Sequence, residues 1–432
     1  MVSVLSGAIA IAFAVPAQAA SDIELLREEL AQQRKMLAQQ QKTIEALEQR
    51  LERQPAAQAE AGKPPATAAA ADKPLLTVYG ILDGGVEHIT NIGASGKSLT
   101  RVPGITGTLP SRLGFRVNKE FKPGYSGIGT LEIGFNLDDG TQGQSGSSST
   151  ADRVFGRQAF VGVQTPYGAL TFGRQYSMLL PAMAASDFMG PNIYALGSFD
   201  AYLPNARYDN SVAWQGKFDK LSLGVAYSFG RDTSGGAPAS GTCAGEQANI
   251  TDTQECKAWS MMARYDAASF GAALGVDQVK GGTGATAFFF NGAAPFAFSD
   301  SSDTDRRVSL GGYVKLGAAK LGLGWLRREV STDALDVESN TYYLSASYPI
   351  NDLLSVDGAI YRIGNDDQDR DATLAVVRGF YKLDKGLDAY AQIGRIHNSS
   401  NASYALSGAG GGTAPKAGGS QSGYMLGLRY IF

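Results

Sequence analysis

From residue 75 to its last residue, the chain repeats one local pattern: short runs of alternating apolar and polar side chains, joined by connections that are short and long in turn. Val78, Leu82 and Val86 share one face with Gly80 and Gly84, while Thr77, Tyr79, Asp83 and Glu87 take the other. Leu113, Phe115 and Val117 alternate with Arg112, Gly114, Arg116 and Asn118. Leu221, Leu223, Val225, Tyr227 and Phe229 alternate with Ser222, Gly224, Ala226 and Ser228. A period of two puts successive side chains on opposite faces of a strand, and apolar-out, polar-in alternation is the pattern of a membrane β-barrel.

Sixteen such runs begin near residues 75, 111, 126, 153, 168, 206, 220, 256, 269, 305, 319, 338, 353, 370, 386 and 421. The short connections are 165–168, 217–220, 266–269, 349–352 and 383–386; between them fall polar or Gly-rich loops at 88–110, 137–152, 177–205, 230–255, 280–304 and 397–420. Two others, near 331–337 and 364–370, are shorter. Short turns at one rim and long loops at the other predict an antiparallel outer-membrane barrel, all-β and transmembrane. An even strand count puts both barrel ends on the short-turn side. The last run places Tyr424, Leu426, Leu428, Tyr430 and Phe432 on one face, and Phe432 ends the chain. A terminal strand that pairs with the first leaves no open edge.

Composition agrees without deciding the matter. Hydrophobic residues make up 44% of the chain, and no apolar run nears the roughly 18 residues of a membrane helix. Net charge is −3 and the basic residues are dispersed, which argues against nucleic acid as a partner.

The first 73 residues read differently. Residues 2–15 are apolar and lead to Pro16 and Ala17-Gln18-Ala19. That is a signal-peptide pattern, with cleavage expected after Ala19 and residues 1–19 removed. The basic segment that usually precedes such a run is absent, so the true start is expected upstream. Within residues 20–53, Ile23, Leu30, Leu37, Ile44 and Leu51 fall seven apart; Leu26, Gln33, Gln40 and Leu47 form a second core row. A heptad stripe of this kind predicts a helical coiled coil, hence partner chains. Residues 54–73 are rich in Ala, Pro and Gly and predict a flexible linker, with the barrel domain at 74–432. The address places the barrel in the cell outer membrane and the coiled coil in the periplasm. In that oxidising setting the two cysteines, Cys243 and Cys256, are expected to form a disulfide within one loop.

Several stretches resemble the Gram-negative general porins of the Neisseria and Comamonas type. They are residues 76–83 (LTVYGILD), 111–116 (SRLGFR), 155–162 (FGRQAFVG), 170–176 (LTFGRQY) and 207–211 (RYDNS), together with the terminal Phe432. The resemblance covers about residues 75–432. It implies a sixteen-stranded trimeric barrel whose third loop folds inward to narrow a water-filled pore. It also implies that the barrel assembly machinery reads Phe432. The chain departs from the family around residues 119–127 and in its coiled coil, which is similar to that of DcaP-type trimeric channels.

The third long loop, 177–205, carries Leu179, Leu180, Met183, Phe188, Met189, Ile193, Tyr194, Leu196, Phe199 and Tyr202, with only Asp187 and Asp200 charged. A loop so apolar is expected to pack on the inner wall as a constriction. Alternation turns Arg112, Arg116 and Arg207 inward, with the acids Asp83, Glu87, Glu132 and Asp209. Arg157 and Arg174 share parity with lipid-facing neighbours, so they belong to the pore only if strand ends or bulges turn them. Arginines opposite two loop carboxylates would set up a transverse field acting on passing ions.

The expected function is passive diffusion of small hydrophilic solutes and ions, by a homotrimer set in outer-membrane lipid. The alternative is a substrate-specific channel for small organic anions. An enzyme is not expected: only His88 and His397 could serve a Ser–His or Cys–His site, and neither lies in a nucleophile motif. Nor is any cofactor or metal expected, since the glycine run 408–412 lacks the Lys-Ser/Thr of a phosphate loop. A surface adhesin would need long structured outer loops, and these are modest and rich in Gly and Ser.

Overall fold

The computed structural model describes residues 75–104, 107–143, 154–203, 206–230, 252–283, 285–287, 296–408 and 412–432. The expected signal peptide, coiled coil and linker, and Cys243, lie outside them.

Sixteen strands form the barrel. They are β1 (Leu76–Ile92), β2 (Arg112–Lys122), β3 (Tyr125–Phe135), β4 (Gln158–Thr165), β5 (Gly168–Tyr176), β6 (Arg207–Phe218), β7 (Leu221–Ser228) and β8 (Ala258–Asp266). There follow β9 (Phe270–Lys280), β10 (Thr304–Leu316), β11 (Ala319–Ser331), β12 (Asp336–Pro349), β13 (Leu354–Gly364), β14 (Ala372–Asp384), β15 (Leu387–Asn398) and β16 (Gln421–Ile431). Each pairs antiparallel with the next. β16 returns to β1, from Ile81 opposite Ile431 to Ile89 opposite Gly423, and closes the ring.

The outward face carries the apolar half of each alternation. Leu82, Val86, Val161, Phe172, Val225, Leu310, Leu323, Ile360 and Leu426 are all exposed, while Asp83, Glu87, Ser309 and Arg307 on the same strands are buried. In water that band would drive aggregation; in hydrocarbon it is the solvated surface.

The outer loops hold more strand than alternation suggests. β1 runs on to Ile92, and Lys97–Arg101 folds back on it, pairing Glu87 with Arg101 and Ile92 with Lys97. The turn is made by Asn91, Gly93 and Gly96, all at positive φ, a conformation cheapest for Gly and tolerated by Asn. Gln142–Gly143 adds to β3, and Thr286–Ala287 pairs with Phe296–Ala297. These segments are only two to five residues long, too short for a period of two to mark them in the sequence.

Residues 177–203 of the third long loop fold inside the barrel. Its short helix α1 (Leu179–Met183) packs on β8, β9 and β10. Beyond it, Met189, Ile193, Leu196, Phe199 and Tyr202 share one buried cluster with Leu326, Val330, Ile363, Leu374 and Ile396 of the wall. Burying each such side chain is worth about 1.5–3 kcal/mol, so the loop is seated by a core of its own.

Candidate functional site

Five of the arginines singled out by sequence lie along the arc β2–β6. Arg112 projects inward at the start of β2, its Nε 3.7 Å from Glu132 of β3. Arg157, just before β4, donates to Glu132 at 2.7 Å and to the Tyr176 hydroxyl at 2.6 Å. Tyr79 donates to the same carboxylate at 2.8 Å. Arg207 is fully buried, stacks 4.8 Å over the Tyr176 ring and donates to its hydroxyl at 3.2 Å. Tyr176 thereby holds two guanidiniums at once.

Simple alternation would turn Arg174 toward lipid. The β5–β6 register shifts between Gly173 and Gln175, and Gly173 sits at φ +127°. This bulge turns Arg174 inward, where it donates to the Gly156 carbonyl at 2.6 Å and pairs with Asp209. Re-aiming a side chain is what a bulge does. Arg116 lies nearer the short-turn rim, exposed, 4.5 Å over the Tyr79 ring. Arg112 and Arg157 meet Glu132, Arg174 pairs with Asp209 and Arg207 stacks on Tyr176, so among the described residues these four cations stand with two acids.

The inward-facing acids are engaged by neighbouring side chains and amides. Asp83 accepts from the amides of Thr108 and Leu109 at 2.9 and 2.8 Å and from the Tyr390 hydroxyl at 2.8 Å. Glu87 is buried and paired with Arg101 at 2.8 Å. Glu132 and Asp209 are likewise buried beneath their arginines.

The loop carboxylates differ from expectation. Asp200 faces not Arg112 and Arg116 but β10 and β11, where Arg307 grips it at 2.7 and 3.2 Å and Arg328 stands 3.5 Å away. Asp305 completes that group, 2.8 Å from Arg328 and 3.1 Å from Arg307. Asp187 accepts from the Tyr361 hydroxyl at 2.7 Å and from the Met189 amide at 3.1 Å, and burial lifts its carboxyl to about 6. Arg378 of β14 donates to the Phe188 and Met189 carbonyls at 3.2 and 3.4 Å and to Asp357 at 2.8 Å. The loop acids are thus consumed in seating the loop. Arg307, Arg328 and Arg378 were missed, although each has the inward parity that marked Arg112. A cavity of about 450 Å³ lies between loop and wall, lined by Gln158, Thr171, Gln175 and Tyr176 opposite Met178 and Pro181.

The pattern that defines Gram-negative porins matches residues 56–401, most of the chain. The chain belongs to the Gram-negative porin family. This porin is 26% identical over 267 residues to an outer membrane porin protein of Bordetella pertussis, an alignment covering 58% of this chain and 63% of the relative. It is 28% identical over 163 residues to the major outer membrane protein P.IB of Neisseria meningitidis serogroup B, covering 36% and 44%. The chain therefore spans less than two thirds of either relative. Its barrel superposes on the anion-selective porin of Comamonas acidovorans with a TM-score of 0.65 at 20% identity, covering 83% of this chain and 99% of that one. That likeness is one of fold.

Proposed function

We propose that this porin forms a water-filled pore in the outer membrane through which small hydrophilic solutes and ions diffuse passively, with a preference for anions. The observation that carries this is the imbalance across the constriction. Among the described residues the β2–β6 wall turns more arginine than acid inward, while Asp187 and Asp200 are held against the far wall. Charges in a narrow, partly dry passage act more strongly than in bulk water, and a ring of Arg or Lys favours anions. The solved relative with the same barrel is itself described as anion-selective. A channel specific for small organic anions is the narrower form of the same reading.

The rest of the proposal concerns assembly. A signal peptide ending at Ala19 delivers the chain, residues 20–53 join three copies as a periplasmic coiled coil, and the assembly machinery engages Phe432. A Cys243–Cys256 bridge staples an outer loop; its support is that Cys256 is buried and no described cysteine is free.

The test is the reversal potential of single channels in a KCl gradient. The wild type should favour chloride. Arg112→Gln with Arg116→Gln should move the potential toward potassium, most clearly in dilute salt, because screening sets in beyond about 10 Å at 0.1 M. A potential unmoved by both substitutions would refute the role given to this wall.

A further inference from the structure

A second group of cations lies apart from the β2–β6 arginines, inside the barrel toward the short-turn rim. Lys217 on β6 and Arg264 on β8 are both cross-strand partners of Ser222 on β7, so the three form one row. Lys315 on β10 and Lys320 on β11 are direct partners of each other. One carboxylate, Asp266, stands among them. Arg264 grips it at 2.8 and 3.0 Å and the Tyr313 hydroxyl donates to it at 3.0 Å. Asp266 also feels Lys217, and Lys320 feels Arg264, Lys315 and Asp266, so the five act as one electrostatic unit. Four cations against one acid give a net charge of +3.

Like charges directly opposite on one sheet face destabilise the pairing. Lys315 and Lys320 are such a pair, and among the described residues neither forms an ion pair. The Lys320 ammonium lies instead 4.2 Å over the Tyr313 ring and 4.4 Å over the ring of Phe188, a residue of the constriction loop. Beside this group is an open cavity of about 520 Å³ lined by Gln164, Lys217, Ser222, Arg264 and Asp266 under Pro181 of the loop. That volume suits a small ligand, and its wall offers hydroxyl and amide groups beside the ammonium and guanidinium ions.

We infer that Lys217, Arg264, Lys315 and Lys320 form a docking site for small multivalent anions, carboxylate or phosphate, on the periplasmic side of the constriction. The assignment of side follows from the short turns, which face the periplasm in outer-membrane barrels. The inference rests on the pore reading above. An anion that has cleared the loop meets a positive cup below it, and its charge relieves the Lys315–Lys320 repulsion.

Single channels of known orientation in KCl test this, with citrate and then inorganic phosphate added to one side at a time. Block from the short-turn side should need about tenfold less probe than block from the long-loop side, a difference near 1.4 kcal/mol. Lys315→Gln with Lys320→Gln should erase that sidedness and leave the barrel folded, since it removes a repulsion. Lys217→Gln should weaken the block without touching that pair. Phosphate blocking alone would narrow the ligand to phosphate. Equal block from both sides, or sidedness intact in the double variant, would overturn the site. Chloride preference in the absence of either probe is scored separately, so failure of the pore reading is told apart from failure of this one.

Discussion

Gly80 and Phe432 close the barrel by exchanging both backbone hydrogen bonds, Gly80 N to Phe432 O at 3.0 Å and Phe432 N to Gly80 O at 3.2 Å. The Phe432 ring lies across Gly80, where a Cβ would run into it. A side chain at residue 80 must displace the last aromatic, and overpacking of this kind costs about 1–3 kcal/mol. Gly80→Leu should therefore lower the yield of heat-modifiable barrel in the outer membrane, as should Phe432→Asp. Normal yield from both would separate closure of the barrel from assembly.

Asp200 should matter to stability before selectivity. Asp200→Asn removes the charge of one of the carboxylates that the buried Arg307 and Arg328 share, and breaking a buried ion pair costs about 3–5 kcal/mol. The expected result is a lower melting temperature and a larger, noisier conductance as the loop lifts. A variant that melts like the wild type would show that the apolar seat alone holds the loop.

Asp187 predicts a pH dependence of the same seat. Its carboxyl is raised from its ordinary 3.8 to about 6 by burial, against the opposing pull of the Tyr361 hydroxyl, the Met189 and Gly190 amides and Arg378. A raised acid binds its proton more tightly in the folded state, so its contribution is fully present below about pH 4 and is lost as pH rises through 6. At about 1.4 kcal/mol per unit the loss is on the order of 3 kcal/mol. Hydrogen exchange of the 177–205 amides should be slower at pH 4 than at pH 7, after correction for intrinsic rates. Asp187→Asn should flatten that difference.

The proposed bridge is open to a chemical check. In the native, unreduced protein neither Cys243 nor Cys256 should react with a maleimide. After reduction both should react, with stability lower by about 3 kcal/mol in the chain-entropy model and conductance nearly unchanged.

The strands could be read from the sequence because a membrane span obeys one rule at every residue: lipid on one side, water or protein on the other. The run from Leu221 to Ser228 needs no distant partner to show its parity. What failed to show was whatever depends on chain brought from elsewhere. Arg307 meets Asp200 from 107 positions away, and no period records that. Sequence alone turns Arg174 inward only on the condition of a bulge, and the extra residue of β6 opposite Gly173–Gln175 is a local irregularity that no period records. The loop seat did leave a trace. Leu374, Val376 and Val377 put apolar groups on both faces of β14, where a strand facing water would alternate.

The loop's placement divides the barrel's circumference by kind of constraint. Strands β11–β14 turn Leu326, Val330, Ile363, Leu374 and Val376 into a packed core shared with the loop, where almost any change of volume is felt as lost stability. Strands β4 and β5 turn Gln158, Thr171 and Gln175 to the cavity beneath the loop, where a change of charge or length acts first on the space a solute meets. Selection can therefore rewrite which solutes cross while leaving untouched the arc that lets the protein fold. Among descendants of this chain, divergence in permeability should accumulate on one side of the ring and conservation of bulk on the other.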